Sequence, residues 1–196
     1  MLAGFPKQIT LQTGTIVTIR PMIQEDAKRL HEFFCRLPRE DRLFLRDDVA
    51  IREVIDAWAD ELDYEKVLPI VAEVDDTIVA DATLHRRKFG WTSHVGKIRL
   101  AVDTDYRAKG LGTLMLEALI ETAKKAGLEI LVAEIMGGQT EALKILKRLG
   151  FTKEAVFYNY VKDQVGEEHD LVVMMKNLAD RAGHGPLLVG TVRHER

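Results

Sequence analysis

A glycine-bearing turn, YRAKGLGT at residues 106–113, joins a strand-like run at 97–102 to an amphipathic run at 111–125 and constrains the fold more than any other stretch. Leu111, Leu114, Met115, Ala118, Leu119 and Thr122 recur at the spacing of one buried helical face, while Glu117, Glu121, Lys124 and Lys125 fall opposite. A helix therefore begins at about Gly110. The amides of its first turn lack intrahelical partners and carry the positive end of the peptide dipoles, so an anion belongs there. Gly110 and Gly112 have no Cβ to hold a bulky anion off the main chain, and Arg107 and Lys109 add two mobile cations. The expected ligand is a phosphate or a pyrophosphate.

Two well-known phosphate turns are poor fits. A dinucleotide fingerprint needs a third glycine where Met115 stands, and no strand-helix-strand unit precedes it. A nucleoside-triphosphate loop needs Gly-Lys-Ser/Thr after four spacers, and nothing of the kind follows Gly110. On the turn alone, a plain strand-turn-helix with incidental glycines stays open.

The neighbourhood adds more. Residues 100–112, LAVDTDYRAKGLG, resemble the acetyl-CoA pyrophosphate motif of the GNAT superfamily of acyl-CoA N-acyltransferases, with Arg107, Gly110 and Gly112 in its fixed places. A strand at 129–136, a helix at 139–149 and the ending Leu149-Gly150-Phe151 resemble that family's adenine-side unit, and a looser likeness runs from Thr15 to about Leu178. The resemblance implies an α/β (α+β) fold: a mixed, mostly antiparallel sheet of about seven strands, helices on both faces, and a splay between 97–102 and 129–136. It also implies acetyl-CoA as co-substrate, no metal, and direct transfer of acetyl to a primary amine of a protein or small molecule in a ternary complex. The expected coenzyme contacts are Leu100, Ala101, Val102, Arg107, Ala108, Lys109, Gly110, Leu111, Gly112, Thr113 and Gln139.

The same resemblance carries two departures at the chemistry. Many relatives have a tyrosine seven residues after an asparagine on the adenine-side helix, as general acid. Here Gln139 replaces the asparagine and Leu146 stands at the tyrosine place. Lysine-acetylating members place a glutamate five residues before the valine of the phosphate strand, and that position is Lys97. A catalytically idle acyl-CoA-binding or sensing domain is therefore the alternative. Candidate bases are Glu134, late in an apolar strand, then Glu73, then His94; Tyr158 and its neighbour Tyr160 are the candidate acids. The resemblance also implies a main-chain oxyanion donor on the strand before the phosphate turn, which makes the Val102 backbone amide the candidate. A thiol's reference pKa of about 8.5 also lets the thiolate depart unassisted.

Composition bounds the rest. A net charge of −3 gives no basic stripe for nucleic acid, and no apolar run approaches the roughly 20 residues of a membrane span. The single cysteine, Cys35, fits a reducing compartment and reads as a small buried hydrophobe, so cytoplasm is the default. Residues 1–14 read as a loose arm, 15–178 as one domain and 179–196 as a tail. That tail, with Leu187-Leu188-Val189 in its middle, reads as an appendage either mobile or packed on a partner chain, and a homodimer is among the expected assemblies. The acidic run at Asp60, Glu61, Asp63 and Glu65 and the basic loop Arg86-Arg87-Lys88 read as solvated surface.

Overall fold

The computed structural model describes residues 4–43, 45, 47–163 and 165–179. The tail beyond residue 179, Leu187 to Val189 included, lies outside the described residues, as do Arg46 and Gln164.

Among the described residues eight strands form one sheet: β1 (Lys7–Thr10), β2 (Ile16–Pro21), β3 (Val67–Val74), β4 (Thr77–His85), β5 (Val95–Val102), β6 (Ile130–Met136), β7 (Thr152–Lys162) and β8 (Glu168–Asn177). Their spatial order is β1-β2-β3-β4-β5-β6-β8-β7, and every neighbouring pair is antiparallel except β5–β6. The expected seven strands become eight because the N-terminal arm contributes β1, which pairs with β2. Short and lacking a run of β-branched residues, β1 carries little pattern of its own. The hairpin from β3 to β4 turns through Asp75 and Asp76, both at positive φ (46° and 61°), a backbone whose twist matches the flanking strands.

Among the described residues there are five α-helices: α1 (Ala27–Arg36), α2 (Arg39–Arg42), α3 (Arg52–Asp60), α4 (Leu111–Lys125) and α5 (Thr140–Arg148). Alternation along each strand divides the core into two. Ile70, Ala72, Ala80, Ala82 and Ile98 pack with Leu111, Met115 and Leu119 of α4 and Leu146 of α5. Val71 and Ile78 pack with Leu30, Phe33 and Phe34 of α1 and Ile55 of α3. The sheet is thus helix-covered on both faces, as the period-2 and period-3.6 patterns require. Cys35 is exposed, contrary to the burial expected of it: Phe33 and Phe34 fill the inner face of α1 and position 35 turns outward, where its Sγ lies 3.5 Å from His31 Nε2.

Candidate active site

The site is built on the β5–β6 pair. Strand β6 follows β5 through α4 and runs parallel to it, with register pairs from Val95↔Ile130 to Ile98↔Ala133. Beyond Ile98 and Ala133 both strands continue, to Val102 and Met136, with no further pairing between them. The expected splay is therefore present. Which backbone groups face it follows from register: the Asp103 amide donates to the Val79 carbonyl at 2.9 Å, and Ala101 stands opposite Asp81. In an antiparallel ladder bonding alternates, so the Leu100 and Val102 backbone groups point away from β4, into the gap. A cleft of about 560 Å³ opens there, with Leu100, Glu134, Gln139, Ile145 and Leu146 among its walls.

The turn that caps this gap begins with a single 3-10 turn at Thr104–Tyr106, where the Asp103 side chain accepts from the Asp105 amide. Ala108 (φ 56°) and Gly110 (φ 88°) are both left-handed and curl the loop into the start of α4. The first helical bond is Leu114 N–H to Gly110 O at 3.1 Å, so helix geometry leaves the amides of Leu111, Gly112 and Thr113 without partners of that kind. Gly112 serves a different purpose from Gly110. A Cβ there would lie 3.3 Å from Leu100 Cδ2 and 3.8 Å from Ile145 Cδ1, filling the mouth of the cleft. The two cations are less mobile than the sequence implied. Arg107 donates to the Val102 carbonyl at 3.0 Å and to Asp41 Oδ2 at 2.8 Å, and the Lys109 ammonium sits 5.5 Å over the Tyr106 ring.

The candidate catalytic side chains separate. Glu134 lines the cleft, but its Oε1 is 2.6 Å from Lys97 Nζ, so the lysine standing at the glutamate position of lysine-acetylating relatives is paired with it. Glu73 is not among the cleft-lining residues: it accepts from Arg20 at 2.7 Å, in a network with buried Asp26 and Arg29. His94 lies just before the paired end of β5, its carbonyl accepting from Glu129 and Ile130, away from the splay. His85, at the end of β4, is half-buried, its Nε2 3.0 Å from Thr83 Oγ1. On β7 the register breaks between Phe157 and Val161, with Asn159 at φ 51°. That bulge leaves Tyr158 74% exposed and outside the cleft, whereas Tyr160 lines it, its ring centroid 5.2 Å from that of Phe157.

One residue escaped the sequence reading. Asp81, in the middle of β4, is 8% exposed, its Oδ1 is buried with no hydrogen-bond partner, and burial pushes its carboxyl up to about 7 against the pull of Arg99. The signal was there in the run IVADATL, a carboxylate interrupting a strand otherwise suited to burial.

Comparison with known proteins agrees with this geometry. Over 75 residues the chain is 35% identical to the [Ribosomal protein bS18]-alanine N-acetyltransferase of Escherichia coli (strain K12), covering 38% of this chain and 50% of that one. Over 77 residues it is 39% identical to the L-methionine sulfoximine/L-methionine sulfone acetyltransferase of Pseudomonas paraeruginosa, covering 39% and 44%. The chain thus matches about half the length of these curated relatives. Among solved structures, the GNAT domain of S. lividans PAT has the same fold, with a TM-score of 0.75 at 15% identity, covering 89% of this chain and 98% of that one. The Salmonella typhimurium protein yncA, solved with its cofactor acetyl-CoA, gives 0.71 at 22%, covering 87% and 99%. The sequence profile of the Acetyltransferase (GNAT) family matches residues 28–151, more than half of the chain, and the protein belongs to that family.

Proposed function

We propose that the protein transfers acetyl from acetyl-CoA to a primary amine by direct attack in a ternary complex. The observation that carries this reading is the unpaired edge of β5 beyond Ile98, opening beside the bare first turn of α4. Leu100 and Val102 offer a linear amide-bearing arm strand-like partners, and the amides of residues 111–113 together with Lys109 suit a pyrophosphate. Ala101, Arg107 and Ala108 shape the same turn, and Gln139 at the start of α5 lies across the cleft. An acyl carbonyl placed at the Val102 amide gains a donor as its oxygen becomes an oxyanion. The names of the relatives favour an α-amine, of a protein chain or of an amino-acid analogue, as acceptor. A cytoplasmic setting belongs to the same reading.

Isothermal titration with acetyl-CoA tests the donor half; absence of binding at millimolar ligand would remove it. Release of thiol from acetyl-CoA with an N-terminal alanyl peptide, L-methionine sulfone and spermidine tests the transfer. The pairing of Lys97 with Glu134 favours the idle-domain alternative, which requires tight binding and no thiol release with any amine.

A further inference from the structure

We propose that Asp81 is the group that takes the proton from the attacking amine, an inference that rests on the N-acetyltransferase reading above. A buried carboxylate oxygen with no hydrogen-bond partner is expensive to maintain and calls for a role. Its place supplies one. Val71, Asp81 and Ala101 stand opposite one another across β3, β4 and β5, so their side chains share the face covered by α1 and α3. Ala101 lies between the two residues whose backbone faces the gap. Asp81 is therefore one strand from the Val102 amide, on the sheet face opposite α4. Asp81 itself does not line the cleft of the free chain, but Arg99, whose charge reaches its carboxyl, does, and an amine arriving along the α1 and α3 side past Arg99 comes to Asp81 next to an acyl group held at the Val102 amide.

The charges around it leave the role to Asp81. From β5, Arg99 lines the cleft and its charge reaches the Asp81 carboxyl, while Lys97 is paired with Glu134. From α1, Arg36 is directed to Asp103 and the Ile78 carbonyl, and Arg29 to Asp26 and Glu73. From β3, Glu73 is directed to Arg20. Burial raises the carboxyl and Arg99 limits the rise, which suits a base acting near neutral pH.

The step balances as follows. The ammonium gives one proton to the Asp81 carboxylate, and the freed nitrogen lone pair forms the C–N bond while the carbonyl pair moves to oxygen at the Val102 amide. Collapse breaks the C–S bond, the departing sulfur takes the second nitrogen proton, and coenzyme A leaves as the thiol. Asp81 then releases its proton to solvent.

The test is the pH profile of thiol release by the full chain with the best of the three amines named above, for the unsubstituted protein and for Asp81→Asn and Asp81→Ser, with acetyl-CoA titration as the check on folding. The expected result is an acetyl-CoA Kd within twofold of the parent and a kcat/KM at pH 7 lower by about a hundredfold or more, with the deficit shrinking as pH climbs toward the amine's own pKa. Full activity of either variant at pH 7, or an equal loss at every pH, would overturn the assignment to Asp81 while leaving the transferase reading intact. Thiol release absent from the unsubstituted protein with all three amines would overturn that reading and this inference with it.

Discussion

Asp81 sets a test that needs no substrate. Its carboxyl titrates at about 7 in the fold, above the unfolded value of about 3.9, so the folded chain holds a proton that the unfolded chain has released. Stability is therefore drained as pH rises from about 4 to about 7, by at most about 4 kcal/mol for a shift of that size. Asp81→Asn should gain stability over the parent in urea melts at pH 8 and lose that advantage at pH 4. A constant difference across pH would mean the carboxyl is not held as described. The two glycines of the turn make a second pair of expectations. Gly110 sits at φ 88° with nothing within 4 Å of a built Cβ, so Gly110→Ala should lower stability by about 1 kcal/mol through backbone strain while acetyl-CoA affinity stays within severalfold. Gly112 is helical, and its missing Cβ leaves room for Leu100 and Ile145 to approach the first turn of α4 closely. Gly112→Asp should keep the fold and abolish acetyl-CoA binding in titration calorimetry; unchanged affinity would sink this placement of the pyrophosphate. Glycines at 110 and 112 were legible from the sequence as a pair, but their separate duties depend on φ and on neighbours that no spacing rule supplies.

At the scale of elements, the strongest electrostatic joint ties the end of β2 to the start of α1. Arg20 donates to both oxygens of Asp26, at 2.6 and 2.9 Å, and Arg29 also reaches Asp26, which is fully buried. Burial alone would raise the Asp26 carboxyl, but the Arg20 hydrogen bonds, the Ile23 amide and Arg29 together hold it below the usual carboxylate range. A depressed folded value contributes stability that is complete above the unfolded pKa of about 3.9 and is lost as pH falls toward the folded one. Asp26→Ala should cost about 3–5 kcal/mol at pH 7, because it leaves Glu73 as the one carboxylate bonded to Arg20, and much less at pH 2. Thermal melts across that range check it; an equal loss at both pH values would deny the ion pair its part. Glu73 reads from the sequence as a candidate base, since a strand carboxylate looks the same whether it faces a substrate or an arginine forty or more residues away. Strand and helix limits fared better. The bounds of α4 follow from apolar periodicity, but the bulge that puts Tyr160 rather than Tyr158 at the cleft does not, because it sets three residues of β7, 158–160, against one of β8, two more than regular pairing, and no period marks where such residues fall.

For the whole molecule the decisive feature is a sheet left open at its centre. The splay was legible through the resemblance of its flanking motifs; the chemistry inside it was not, because side chains that meet there, such as Lys97 of β5 and Glu134 of β6, come from places far apart in the chain. An open centre predicts how the molecule responds to its ligand. Leu100 and Val102 amides, aimed into the gap, should exchange hydrogen readily in the free protein and become protected when acetyl-CoA supplies acceptors, while the Ala101 and Asp103 amides, turned toward β4, should change little. The same binding should stabilise the fold globally by about 2.7 kcal/mol at a hundredfold excess over Kd, a rise in Tm of roughly 5–10 °C for a chain of this size. Exchange measured residue by residue separates the two effects. Global stabilisation protects every amide that exchanges only through full unfolding, whereas occupancy of the gap picks out alternate residues of a single strand. Protection of Ala101 and Asp103 in place of Leu100 and Val102 would put the arm of the ligand on the wrong side of β5 and remove the structural basis of the transferase reading.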